Sequence, residues 1–472
     1  MTKMIRLTEK LRQLARSDEQ RVARNRLLSL MQSVVGIGTY FLVMRYVLAV
    51  AGLGGVGLWS LTMGFVAFIR VMDLTGAGGL ARMVALNPDN ERLRSEYVDT
   101  VTAFIVALYA VLSMIAYLPL RYAMAGSVAP GTEIIAHALL VWAMISLPLN
   151  VAGMAQLSAI DGLGRADIRS MLNIAGFVLY GLLAAILVSS QGILGLAYAQ
   201  IAQYALLLVA SRVVLTRRLP SLRLVPSRFS RKAAGQALHY GFRLQASSIP
   251  MSLFDPLTRV VLGRWIGLEA LGIYDLSYKL AGNVRTLLQA GMNPFLPEFA
   301  RLWSTDKAAA RAHHAMVSAR AIRTVAIAYT VLILATPAFS LFFLSQVSAE
   351  FFFSVAVLSL GWGVASVGLA TQLFARAAGA LRWSIAGQWL LLMLGAALVY
   401  LATRSYEFIY VAIAVAIAIA TGHMVAFAGE TRMLTLTPFG TGKQAITSLA
   451  ALAGFVAIAA LAAGAVVMMG NW

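Results

Sequence analysis

The stretch GLGGVGLWSL at residues 52–61 returns as GLEALGIYDL at residues 267–276, an offset of 215. Gly52/Gly267, Leu53/Leu268, Gly57/Gly272 and Leu61/Leu276 are identical, and Val56/Leu271, Leu58/Ile273 and Trp59/Tyr274 are close in character. A second pair, GLGRADI at 162–168 and GALRWSI at 379–385, shares the frame Gly-x-x-Arg-x-x-Ile at an offset of 217. Either match alone is short. Two matches at nearly one offset point to a chain built twice.

The chain has 472 residues, of which 60% are hydrophobic and 12% charged. Soluble domains carry about 25% charged residues. A mean hydropathy of +0.79 leaves a water-soluble fold nowhere to put its apolar surface. Period-two alternation is absent, which excludes a transmembrane barrel. With no cysteine there is no disulfide, thiolate metal site or cysteine nucleophile. The fold class expected is an all-α integral membrane protein.

At about 20 apolar residues per crossing, thirteen spans are expected: 27–50, 55–79, 98–118, 132–156, 168–189, 192–214, 237–262, 268–293, 319–343, 350–374, 383–403, 407–429 and 446–469. The net charge of +19 concentrates before the first span and in the even-numbered loops. Arg217, Arg218, Arg223, Arg228, Arg231 and Lys232 crowd the sixth loop alone. Lys and Arg remain on the cytoplasmic side, so the N-terminus and every even loop are expected there. The charge then marks topology, not nucleic-acid binding.

Six spans separate the repeats, so both halves face the same way, about an axis along the membrane normal. Transporters put their substrate sites at such repeat interfaces near the bilayer midplane. The expected organisation is a cytoplasmic amphipathic segment at 1–26, with Met4, Leu7, Leu11 and Leu14 on one face, and a first six-helix bundle at 27–214. A basic cytoplasmic linker at 215–236, a second six-helix bundle at 237–429 and an extra C-terminal transmembrane helix within 430–472 complete it.

Ionisable residues inside spans cost at least about 2.5–3.5 kcal/mol and mark wet cavities or partners. They gather on spans one, two, seven and eight: Arg45; Arg70 and Asp73; Arg243, Asp255 and Arg259; Asp275, Lys279 and Arg285. Six cations against three carboxylates would make a shared cavity positive and attract an anion. Arg45, Arg70, Arg243, Arg259, Lys279 and Arg285 are the candidate substrate-binding residues, because guanidinium can donate two parallel bonds to phosphate. Arg70/Asp73, Asp255/Arg259 and Asp275/Lys279 also have the i,i+3 or i,i+4 spacing of intrahelical pairs. Asp73, Asp255 and Asp275 are therefore read either as ion-coupling groups or as structural partners. Asn150, Asn173, Gln200, Gln203 and Gln245 are candidate sugar contacts.

WSLTMGFVAFIRVMDLTGAGGLARMVA (59–85) and LGRWIGLEALGIYDLSYKLAGNVRTLLQAGMNPFLPEFARL (262–302) resemble bacterial polysaccharide biosynthesis membrane proteins. These are lipid-linked oligosaccharide flippases of the multidrug/oligosaccharidyl-lipid/polysaccharide exporter superfamily, with a MATE-like fold. The resemblance implies two six-helix bundles, alternating access, and transfer of an undecaprenyl-diphosphate-linked glycan across the bacterial inner membrane. The glycan would be a repeat unit of an exopolysaccharide or lipopolysaccharide. The partners implied are the lipid-diphosphate-linked glycan, membrane lipid and a polysaccharide polymerase or export machinery, without nucleic acid.

Two transporters compete with this reading: a flippase for the peptidoglycan lipid precursor, and a MATE-type drug/cation antiporter, whose cavity should be dominated by carboxylates. An enzyme would need a substantial outer loop or a surface carboxylate site, and the longest odd loop, near 119–131, is short. No P-loop, metal-ligand spacing or nucleophile motif appears, so no cofactor, metal or catalytic residue is expected. The adjacent His313 and His314 are expected to be solvated in a loop.

Overall fold

The computed structural model describes residues 2–70, 77–128, 131–226, 228–236, 249–405 and 407–468. Asp73, Arg243 and Gln245 lie outside the described residues. The helices are α1 (Thr2–Arg70), α2 (Ala77–Ala85), α3 (Glu91–Ala125), α4 (Glu133–Gly162), α5 (Ala166–Gln191), α6 (Leu194–Arg218), α7 (Ile249–Trp265) and α8 (Leu268–Met292). There follow α9 (Phe295–Thr305), α10 (Lys307–Leu344), α11 (Ala349–Val367), α12 (Leu369–Ala377), α13 (Arg382–Ala402), α14 (Phe408–Leu434) and α15 (Lys443–Met468). No strand occurs among the described residues.

Ten helical stretches among the described residues are long and apolar enough to cross a bilayer. The first of these holds two expected spans, because α1 passes through Gly52 with φ 67 and ψ −173, a break inside the helix. Helix α7 is described for only 17 residues, and the charges of α8 lower its hydropathy; neither is among the ten. Helix α1 is continuous from Thr2 into its first apolar stretch.

Two compact units form. The first comprises Met1–Val43, Asp73–Ile115 and Val141–Leu244, and the second Met44–Met72, Ala116–Leu140 and Gln245–Trp472. In the second unit α11 packs on α8, α10, α14 and α15. Its run SLGWGVASV has little side chain on the contact faces. A Cβ on Gly361 would stand 2.7 Å from Ala416 Cα, and one on Gly363 would meet the Phe455 ring. Small residues let backbones approach closely, as helix packing in lipid requires.

The offset of 215 recurs in the backbone. Gly52 and Gly267 both have positive φ, 67° and 124°. At the turn after α4, Gly164 N donates to Asp161 O and Arg165 N to Ile160 O; after α12, Gly379 N donates to Arg376 O and Ala380 N to Ala375 O. These are the same two bonds displaced by 215. Gly164 and Gly379 have φ of 73° and 71°, the left-handed conformation glycine adopts at helix C-termini. The sequence frame at 162 and 379 is thus out of register by two: Gly164, not Gly162, is the counterpart of Gly379.

Within the second unit the opening motif closes on itself. A Cβ on Gly57 would run into the Leu268 carbonyl, and a Cβ on Gly272 would lie 2.6 Å from the Leu53 carbonyl oxygen. Leu53 and Gly57 become Leu268 and Gly272 on adding 215, so the two contacts are reciprocal. The copies of the motif therefore cross each other about a local two-fold, which is why glycine stands at the fifth residue after each turn glycine.

The basic segment after α6 belongs to the first unit and is tied down. Arg212 donates to Leu224 O at 3.0 Å, to Arg223 O and to the carboxylate of Asp99. Ser221 N donates to Glu91 Oε1 at 2.8 Å, its hydroxyl meets Ser95 Oγ at 2.6 Å, and Ser230 N donates to Thr100 Oγ1 at 3.1 Å. Tyr97 Oη donates to Gln236 Oε1 at 2.9 Å. Residues 221–236 therefore lie pinned along the start of α3.

His313 and His314 are not in a solvated loop. They lie on α10, and His314 is fully buried, with Nε2 3.2 Å from Thr371 Oγ1. The rings of Phe299 and Phe374 close over it, because the amphipathic helix α9 folds its apolar face onto α12. His313 Nε2 lies 3.4 Å from Glu298 Oε1.

Candidate functional site

The charges of α7 and α8 form one chain of ion pairs. Arg259 reaches Asp255 at 3.1 Å, one turn back on α7, and Asp275 at 3.0 Å across on α8. Lys279 Nζ lies 3.6 Å from the other oxygen of Asp275. Both i,i+4 pairs read from the sequence are made, and the Arg259–Asp275 bond joins them. Arg259 and Asp275 are almost inaccessible, with side chains 8% and 2% exposed, whereas Asp255 and Lys279 are 26% and 30% exposed. The buried middle binds α7 to α8, and the two ends open.

The network is electrically balanced, two cations against two carboxylates. Its position is fixed by arithmetic: at a rise of 1.5 Å per residue, Asp275 and Lys279 lie about 12 and 18 Å along α8 from Gly267. Arg259 and Asp255 lie the same distances back along α7. Each distance is about half the roughly 30 Å thickness of a hydrocarbon core. Under the 215 offset the first copy carries Ser60 and Gly64 where the second has Asp275 and Lys279. Gly64 packs on the stem of Arg259, where a Cβ would lie 3.3 Å from the Arg259 Cβ. The first copy carries no charge at these two positions and makes room for the second.

Arg285 is different. Its Nη1 donates to Ala365 O at 2.8 Å and Ser366 Oγ at 3.3 Å, and its Nη2 to Gln372 Oε1 at 3.2 Å. The guanidinium also lies over the Trp362 ring, 5.6 Å from its centroid. Ala365 and Ser366 end α11, Gln372 belongs to α12, and Gly368 separates the two, so Arg285 straddles a helix break. A cation at the carbonyl end of α11 is favoured by the helix dipole. Among the described residues Arg285 makes no ion pair. A narrow crevice lies beside it, walled by the polar Gln289, Asn293, Gln372 and Arg376 and by the apolar Met292, Leu369 and Leu373. Arg285 and the exposed Arg376 flank this crevice with positive charge. About 27 Å separates Arg285 from Gly267 along the helix, so the crevice stands at the far end of α8 from the Gly267 turn.

The remaining candidates stand apart from this cluster. Arg45 lies seven residues before Gly52, about 10 Å, and donates to Ser345 Oγ at 3.2 Å at the end of α10. Arg70, the counterpart of Arg285 under the 215 offset, is exposed at the end of α1. Gln372, Arg376, Gln289 and Asn293 escaped the sequence reading, although each pair is an i,i+4 polar couple in a helical run. No group of three or more His, Cys, Asp or Glu able to hold a metal exists among the described residues.

Comparison with known proteins decides the family. A model of the family described as "Polysaccharide biosynthesis protein" matches residues 57–350, from the first helix crossing to the start of α11. The chain belongs to this family. No curated protein sequence matches it. Among solved structures it is similar to an inward-facing multidrug resistance MATE family transporter of the MOP superfamily, at TM-score 0.72 and 13% identity, over 85% of this chain and 98% of that one. It is similar also to the lipid II flippase MurJ in an inward closed conformation, at TM-score 0.68 and 13% identity, over 92% and 97%. A third is a MOP superfamily transporter from Pyrococcus furiosus whose binding pocket is described as reversed in polarity, at TM-score 0.58 and 15% identity, over 87% and 95%. This polysaccharide biosynthesis protein is therefore an all-α, multi-pass membrane protein with the MATE-like fold.

Proposed function

We propose that the protein is an alternating-access flippase that moves an undecaprenyl-diphosphate-linked oligosaccharide from the inner to the outer leaflet of the bacterial cytoplasmic membrane. It is not an enzyme: the cargo is relocated unchanged, and two parallel-repeat bundles rock about it. The observation that carries the reading is Arg285, a cation beside a narrow, partly polar crevice, joined only to neutral groups among the described residues. An entering diphosphate gains its charge without first displacing a carboxylate.

On this reading the crevice of Arg285 and Arg376 takes the anionic head on the cytoplasmic side, and the lipid tail stays in the membrane. Lys279, partly exposed, is the next cation along α8, about half-way across. Arg259 is fixed by two carboxylates and positions Asp275 and Lys279. Asp255 and Asp275 are structural partners in this scheme, and Arg70 is a further candidate cation. Arg45 assists release at the opposite end. Outward movement of a doubly negative head is driven by a cytoplasm-negative potential, which at 100 mV contributes about 4–5 kcal/mol.

The test is export in cells. Arg285→Gln and Arg376→Gln should each lower surface glycan with the protein inserted at normal level. Undiminished export in both variants would remove the site. The MurJ likeness keeps the peptidoglycan lipid precursor as a second cargo, since it too carries a diphosphate. Rescue of a strain depleted of that activity would shift the assignment to it.

A further inference from the structure

The segment after α6 combines two features that water alone does not explain. Leu224, Val225 and Phe229 are 67%, 74% and 60% exposed. They are interleaved with exposed Arg217, Arg218, Arg223, Arg231 and Lys232, and no acidic residue occurs anywhere in 217–236. The backbone carrying them is not a loose tether. The Arg212–Asp99 pair, both side chains nearly inaccessible, grips the carbonyls of Arg223 and Leu224, and Ser221 and Ser230 are bonded to α3. Buried Leu219, Leu222, Ala233 and Ala234 hold the inner side. The apolar side chains are thus displayed from a fixed frame at the end of α6.

We propose that residues 217–232 form an interfacial anchor for anionic lipid in the adjoining leaflet, the cytoplasmic one on the charge distribution. Leu224, Val225 and Phe229 enter the boundary between headgroups and acyl chains, and the five cations pair with lipid phosphates. Amphipathic elements of this make-up sit about 5–10 Å into that boundary, and juxtamembrane basic clusters recognise anionic headgroups. Apolar side chains fixed between cations match a charged bilayer surface, in which both are satisfied at once. The anchor holds the frame of the first unit to lipid; its failure would leave the flippase reading untouched.

The chain contains no cysteine, so Val225→Cys supplies a single thiol at an exposed site. The full-length variant is labelled with a nitroxide and placed in nanodiscs of phosphatidylcholine with or without phosphatidylglycerol. Collisions with oxygen and with a water-soluble nickel chelate then report depth. The expected result is a label about 5–10 Å below the phosphates in discs containing phosphatidylglycerol. It should become several-fold more accessible to nickel when Arg217, Arg218 and Arg223 are all changed to Gln. An aqueous signal at 225 in those discs would overturn the proposal and leave the surface to a soluble partner. Shielding that ignores both lipid charge and the Gln changes would also overturn it, as burial within the protein.

Discussion

Adding one methyl group to Gly57 tests the crossing on which the two copies of the repeat meet. In Gly57→Ala the new Cβ collides with the Leu268 carbonyl, and in Gly272→Ala it would lie 2.6 Å from the Leu53 oxygen. Backbone cannot rotate aside as a flexible side chain can, so the helices must separate. Overpacking of this kind costs about 1–3 kcal/mol, which at roughly 2–4 °C per kcal/mol lowers the unfolding midpoint by several degrees. Because both contacts belong to one crossing, the second substitution should cost less than the first. The double variant should fall short of the sum by at least about 0.5 kcal/mol. Gly454→Ala is the control, since a Cβ there meets nothing within 4 Å. The assay is thermal unfolding in lipid nanodiscs for the four variants and the parent. If Gly57→Ala and Gly272→Ala unfold with the control, or if their effects add fully, the reciprocal crossing is refuted.

Arg259→Met removes the buried cation that joins Asp255 and Asp275 and should cost about 3–5 kcal/mol, whereas Lys279→Gln, at the partly exposed end, should unfold within about 1 kcal/mol of the parent; the same melts rank them. Arg212→Met strips Asp99 and two carbonyls of their donor, and limited proteolysis should then cut residues 219–230 at least several-fold faster than in the parent. Gly164→Ala and Gly379→Ala each force a side chain into left-handed backbone, at about 1–2 kcal/mol, and chemical denaturation should find the two penalties alike because the turns are alike.

The motif GLGGVGLWSL carried its own explanation once the partner copy was seen, since Gly57 and Gly272 are needed only where the copies touch. The frame Gly-x-x-Arg-x-x-Ile located the second turn but not its register, because side-chain identity there follows different neighbours: Arg165 holds Asp167, whereas Ser384 holds Glu430. The i,i+4 pairs of α7 and α8 were readable from spacing. Their union through Arg259 and Asp275 was not, because a bond between helices leaves no period in either. Arg45 and Arg285 looked alike as lone arginines in apolar runs, and only depth and partners separate them. The basic stretch after α6 read as a linker because Arg and Pro dominate it. Its anchorage depends on Asp99, Glu91 and Ser95, more than a hundred residues away, and His314 was misread for the same reason: Phe299 and Phe374 bury it from other helices.

Transfer of a diphosphate-linked glycan lipid can be followed as transbilayer movement in proteoliposomes loaded with fluorescent undecaprenyl-diphosphate oligosaccharide and quenched from one side. The purified protein should make the inner pool accessible far faster than protein-free vesicles do. Arg285→Gln, which removes a charged donor worth about 1.5–3 kcal/mol, should slow it about tenfold or more. Folded protein that leaves the rate at the protein-free level would contradict the account.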